Sequence, residues 1–243
     1  MKGERQCHTT PRGSRVRPFL GTHVAGEHLR STRTCLHKSE HPRPKSLRPV
    51  RRAPPSLADK LKRGLWQAVW LIAFLPTPVP LHAWRRLILR LFGAQIAPLA
   101  AVYPSVRIWA PWNLQIGTAA TVGPGVNLYN VAPIMIGEDA VISQGSHLCT
   151  ATHDHLADDF ALMVAPINVG ANAWVAAEAF IAPGITIGAS AVIGARSTVT
   201  KCVTDYTIVA GNPASPIATR PENARNNLGR RPPSPSHIHK PKG

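Results

Sequence analysis

The chain has 243 residues, with 28 Lys and Arg against 12 Asp and Glu, and a formal net charge of +16 at pH 7. That length suits one ordinary domain with tails rather than two domains. The charge says less than its size suggests: residues 1–55 hold 13 cationic against 3 acidic side chains, residues 56–220 hold 10 against 8, and residues 221–243 hold 5 against 1. The basicity belongs to the ends, so no nucleic-acid partner is expected of the nearly neutral middle.

Residues 1–55 are rich in Arg, His, Pro, Ser and Thr and have no apolar period. Such a segment cannot bury enough surface to offset its ordering entropy, so a disordered basic tail is expected there, and another at 221–243. Four cysteines (Cys7, Cys35, Cys149, Cys202) show no C-x-x-C spacing. A disulfide framework is therefore not expected, and a cytoplasmic location fits, also because no apolar segment of signal-peptide form opens the chain.

Residues 56–100 read as an amphipathic helical cap. "LADKLKRGLWQAVWLIAFLP" (57–76) has a polar first turn, then an apolar stretch from Leu65 to Leu75 that is far short of the ~20 residues of a membrane span. Pro76, Pro78 and Pro80 end it. A second helix, "LHAWRRLILRLFGA", sets Arg85, Arg86 and Arg90 among leucines. Two readings stand: the helices cover the end of a neighbouring core, or residues 57–93 rest at the headgroup layer of a membrane's inner face.

A repeat follows. Val169, Val175, Ile181, Ile187, Ile193 and Val199 recur every sixth residue, and a small residue comes next at each step (Gly170, Ala176, Ala182, Gly188, Gly194, Thr200). Upstream the same beat runs through Val102, Ile108, Leu114 and Ile116, Val122, Leu128, then slips by two before Ile136, Ile142 and Leu148. Such a short fixed period marks a solenoid. Six residues supply a short strand and a corner, three hexads close a triangular coil, and stacked aliphatics form an interior ladder. About five coils are expected over residues 101–204. The small residue beside each aliphatic is read as what lets the backbone turn.

The beat stops at "LCTATHDH" (148–155), where His153, Asp154 and His155 arrive together. The hexads "IGASAV" and "IGARST", with "RIWAPWNLQIG", "YNVAPIMIG", "SQGSHLCTATHD" and "VAGNPA", resemble the hexapeptide-repeat acyltransferases, and within them the colanic-acid-biosynthesis acetyltransferases. The resemblance runs from Leu57 to Arg220. It implies a mainly β fold, a left-handed parallel β-helix of hexapeptide repeats with short N-terminal helices. It also implies a homotrimer with acetyl-CoA lying in the groove between adjacent prisms, and a loop at 154–166 with His153 at its root.

Transfer to a hydroxyl needs a base to take its proton as the bond forms, and an imidazole that titrates near neutrality suits that task. The resemblance assigns the role to His153. Asn130 is preferred to Asn127 as the contact to an acceptor sugar, with Asn closing a corner as the other reading. His155 is read as a loop or acceptor contact, Asp154 as a turn former or acceptor contact, and His147 as groove wall or packing. Trp174, Ala195, Thr200, Lys201 and Arg220 match coenzyme-contacting positions, with residues 205–220 lying near the coenzyme. No metal is expected.

Two departures weaken that match: Cys202 in "TKCVT" stands where relatives carry Asp, and "NPASPIATR" delays its cation to Arg220. The expected activity is acetyl-CoA-dependent O-acetylation of a sugar hydroxyl, free or lipid-linked, in exopolysaccharide biosynthesis, with no covalent acyl-enzyme. The alternatives are a non-catalytic trimeric scaffold and a zinc enzyme of carbonic-anhydrase type, which would recruit His147, His153 and His155.

Overall fold

The computed structural model describes residues 48–49 and 57–221. The tails expected to be disordered, at 1–55 and 221–243, lie outside these residues except for the pair 48–49 and Pro221.

Inward-facing aliphatics build three ladders up a parallel β-helix. On one face Ile96, Ile116, Ile136, Val169 and Ile187 stand in register. A second carries Val102, Val122, Ile142, Val175, Ile193 and Val209. The third carries Ile108, Leu128, Leu148, Ile181 and Val199. All are buried, and each such side chain stabilises the fold by about 1.5–3 kcal/mol relative to exposure. Two faces hold five strands; the other holds seven, the last two being an antiparallel hairpin, Thr207–Gly211 and Ala214–Thr219.

The small residue after each aliphatic serves stacking rather than turning. A Cβ added at Gly117, Gly137 or Gly170 would lie 2.6 Å from a backbone nitrogen of the next coil, and none of the three has a positive φ. The turn itself comes two residues later, where Ala119, Asp139, Asn172, Ser190 and Arg196 have φ between 54° and 59°. Asp and Asn tolerate that left-handed region better than most residues do.

Besides the excursion between Leu148 and Val169, two corners exceed six residues. Ile108 to Ile116 and Leu128 to Ile136 each take eight residues rather than six, the first through a 3-10 turn at Pro111–Asn113. Sequence periodicity exposed only the second, because Leu114, buried in the same strand as Ile116, imitates an unbroken beat.

Helix α1 (Leu57–Val69) continues as one π-helical turn, Trp70–Phe74, and α2 spans His82–Leu91. Together they seal the first coil, whose outer carbonyls have no coil beyond them. Trp66 Nε1 donates to the Ile108 carbonyl at 2.7 Å, and Trp70 Nε1 to that of Val106 at 2.9 Å. From α2, Arg86 donates to Ala100 O, Arg90 to Ile96 O, and Arg85 Nε to Val102 O. Arg85 is fully buried, and its guanidinium also donates to the Pro78 and Val79 carbonyls and the Thr77 hydroxyl. Burial holds its pKa below the ordinary arginine value, and this ring of acceptors compensates the buried charge. The arginines of α2 therefore face the prism. The outer surface still exposes Leu57, Leu61, Leu65, Ile72 and Leu91. Among the described residues no helix is long and apolar enough to cross a membrane.

Candidate active site

Thr150 is where the chain leaves the prism. Its hydroxyl donates to Tyr129 O at 2.8 Å and accepts from Ala132 N–H at 2.9 Å, tying this point to the coil below. The excursion is a β-hairpin rather than the loop expected at 154–166. Ala151–His153 pairs antiparallel with Leu162–Val164, and a turn over 154–161 joins them. Arg48–Pro49, inside the segment expected to be disordered, adds a third strand through its backbone. His153 thus stands at the end of an arm, opposite Leu162, and not at the root.

There the His153 ring stacks on Phe160, 4.5 Å between centroids and 8° between planes, and Nδ1 lies 2.8 Å from the Phe160 carbonyl. A carbonyl only accepts, so Nδ1 is the donor here, and in the neutral tautomer it is Nε2 that carries the lone pair. The turn is held by Asp154, whose Oδ1 accepts from Leu156 N–H at 3.1 Å. Asp154 is therefore a turn former, and His155 is exposed beside it.

The two asparagines divide differently from expectation. Asn130 is fully buried; its Oδ1 accepts from the Trp109 and Ala110 N–H groups at 3.0 Å, and its Nδ2 donates to Ala110 O at 2.6 Å. With its side chain enclosed and both polar atoms engaged, it cannot reach an acceptor; it braces the long corner below. Asn127 points outward instead, with Nδ2 3.4 Å from Nε2 of His147, its neighbour on the next strand. His147 also meets the Phe180 ring edge-on at 5.4 Å, and burial holds its pKa below the ordinary histidine value. Its ring is therefore neutral near pH 7.

Asn127 lines a groove of about 440 Å³ between α1 and this face, together with Arg63, Gln67, Arg107, Trp109 and Tyr129. Sequence reading named Asn127 but passed over the other groove residues and Phe160. None lies on the core period, and they become neighbours only when helix and coils stack. The half-buried Cys149 beside Tyr129 has its pKa raised by burial, which suits packing and not a nucleophile.

The residues expected at a coenzyme lie elsewhere. Trp174 is on the face carrying Val141 and Val192, exposed, with its indole N–H donating to Ser143 Oγ at 2.9 Å. Ala195, Thr200 and Lys201 are exposed at corners of the upper coils. Arg196 pairs with Glu178 at 2.6 Å. Arg220, expected to offset the missing cations, is half-buried, and its Nη1 donates to the Asn172 and Ser190 carbonyls. That end of its guanidinium fastens the C-terminal strand to the prism, which is a structural role. Cys202 Sγ accepts from Thr186 N–H at 3.4 Å, so it too serves a corner. Among the described residues no three His, Cys, Asp or Glu side chains are grouped to hold a metal ion.

Stacked six-residue repeats thus build a prism, and a hairpin that carries His153 projects from it. No protein-family profile matches the chain. WcaF of Escherichia coli (strain K12), which is named as a colanic acid biosynthesis acetyltransferase, is 45% identical over 164 residues, covering 68% of this chain and 90% of WcaF. A maltose O-acetyltransferase structure from Clostridium difficile 630 superposes with a TM-score of 0.57 at 27% identity, over 67% of this chain and 88% of that one. The hexapeptide-repeat acetyltransferase VCA0836 of Vibrio cholerae O1 biovar eltor, complexed with acetyl coenzyme A, shares the fold with a TM-score of 0.62. It is 22% identical, over 69% of this chain and 91% of that one. The chain belongs to the hexapeptide-repeat acetyltransferases.

Proposed function

We propose that the protein transfers an acetyl group from acetyl-CoA to a sugar hydroxyl, with His153 as general base. The observation that carries this reading is the contact from His153 Nδ1 to the Phe160 carbonyl, which makes Nδ1 the donor and turns Nε2 of the neutral ring into the free acceptor nitrogen at the end of a braced arm. Nε2 takes the acceptor's proton as its oxygen attacks the thioester carbonyl. The tetrahedral adduct collapses, the C–S bond breaks, and the coenzyme A thiolate takes that proton from the imidazolium. No acyl-enzyme intervenes, in keeping with the partly buried Cys149 thiol.

The coenzyme lies along Trp174, Ala195, Thr200 and Lys201, with Lys201 as the cation for its phosphates. Asn127 and Trp174 stand on different faces of one prism, which supports a site completed between protomers of a homotrimer. The likeness to WcaF supports an acceptor from exopolysaccharide biosynthesis. The exposed leucines of α1 support peripheral contact with the inner face of a membrane.

Calorimetric titration of acetyl-CoA into the full chain tests this. Saturable binding is expected, retained in His153→Ala and weakened in Lys201→Ala. The absence of binding at millimolar acetyl-CoA in a folded protein would overturn the enzyme reading in favour of a scaffold.

A further inference from the structure

The groove beside α1 has a chemistry that a neutral sugar does not require. Two guanidinium-bearing residues, Arg63 from the helix and Arg107 from the first strand of the face, line it, and no carboxylate does. Arg63 lies over the Trp109 ring, 5.4 Å from guanidinium carbon to centroid, and Trp109 meets Tyr129 at 5.2 Å with planes 60° apart. These rings give a sugar an apolar face to lie on. Asn127, the strand partner of Arg107, lies with its Nδ2 3.4 Å from His147 Nε2. The helix that carries Arg63 is held in place by the Trp66 and Trp70 indoles, which bond the Ile108 and Val106 carbonyls on either side of Arg107. Both cations are thus presented by elements fixed to each other.

We infer that the acceptor is an anionic saccharide, bearing a phosphate ester or a carboxylate, whose charge is held by Arg63 and Arg107 while its ring lies on Trp109 and Tyr129. This rests on the acetyltransferase reading and narrows its acceptor. A planar guanidinium matches phosphate and carboxylate equally well, through paired N–H donors. The groove is open to water, so the attraction is screened and weakens as salt rises.

Full-length protein saturated with coenzyme A, whose own phosphate sites are then filled, is titrated with glucose, glucose 1-phosphate and glucuronate. At least one anion should bind tenfold or more tightly than glucose, with an advantage that shrinks in high salt and is lost in both Arg107→Gln and Arg63→Gln. Preference for glucose 1-phosphate identifies a phosphate as the recognised group; preference for glucuronate identifies a carboxylate. Equal binding of all three, no binding of any at millimolar concentration, or a preference that survives both substitutions overturns the inference. Titration of acetyl-CoA alone into the wild-type chain reports separately on the transferase reading, because its expected contacts lie on other elements. Circular dichroism of both variants verifies the fold.

Discussion

The His153 imidazole lies flat on the Phe160 ring while its Nδ1 faces the Phe160 carbonyl at 2.8 Å. One residue of the turn thereby sets both the ring's orientation and the position of its proton. The base proposed above must be aimed as well as present, and a single stacked partner that is also a hydrogen-bond acceptor orients the ring.

Replacing His153 by Ala should lower kcat by about 10²–10⁴-fold, the usual worth of a positioned base, with acetyl-CoA affinity unchanged. Phe160→Ala keeps the carbonyl and removes the stack, so its loss should be smaller, on the order of tenfold. Steady-state rates of coenzyme A release, with an acceptor found by screening, measure both. Equal losses would mean that the carbonyl contact does not survive without the ring.

Asn130→Ala should destabilise the fold by roughly 1–3 kcal/mol, because it leaves the Ala110 N–H without a partner, whereas Trp109 N–H keeps the Leu128 carbonyl and the Ala110 carbonyl keeps Asn113 N–H. Denaturant titration gives the stability. The Michaelis constant of the folded fraction for acceptor should stay near that of the wild type, whereas an acceptor-contacting Asn would raise it.

His147 sets a pH limit. Burial lowers its pKa in the folded protein, so below the ordinary histidine value of about 6.5 the unfolded chain binds more protons than the folded one. Its contribution to stability is complete above that value and is lost as pH falls through the depressed folded value. The melting temperature should therefore drop as the buffer is acidified from neutrality, and drop less steeply in His147→Gln. Parallel curves for the two proteins would sink the assignment.

Coil stacking predicts opposite signs for two glycines. A methyl at Gly137 would lie 2.6 Å from Ala171 N, while one at Gly64 meets nothing within 4 Å. Gly137→Ala should cost about 1–3 kcal/mol or prevent folding, as overpacking does. Gly64→Ala, in mid-helix, should stabilise by about 0.5–1 kcal/mol. Thermal melts of the two variants give both signs.

The β-helix was legible in the sequence because its core is one-dimensional: every interior position is occupied by a residue of the same kind, so period six in Val169 to Val199 already encodes the ladder. Its break at His153 was legible for the same reason. What lies outside the period was not. Asn127 and Asn130 are three residues apart in one segment, and only the stacked coils turn one outward towards His147 and lock the other onto Ala110. Arg220 is a cation in the sequence and a clamp on two carbonyls in the structure. The arm that carries His153, its Phe160 partner and the groove between Arg63 and Arg107 join residues whose spacing follows no rule. Periodic burial is a local property that each coil repeats, whereas a site is made of contacts between coils, helix and hairpin, and those exist only once the chain has wound.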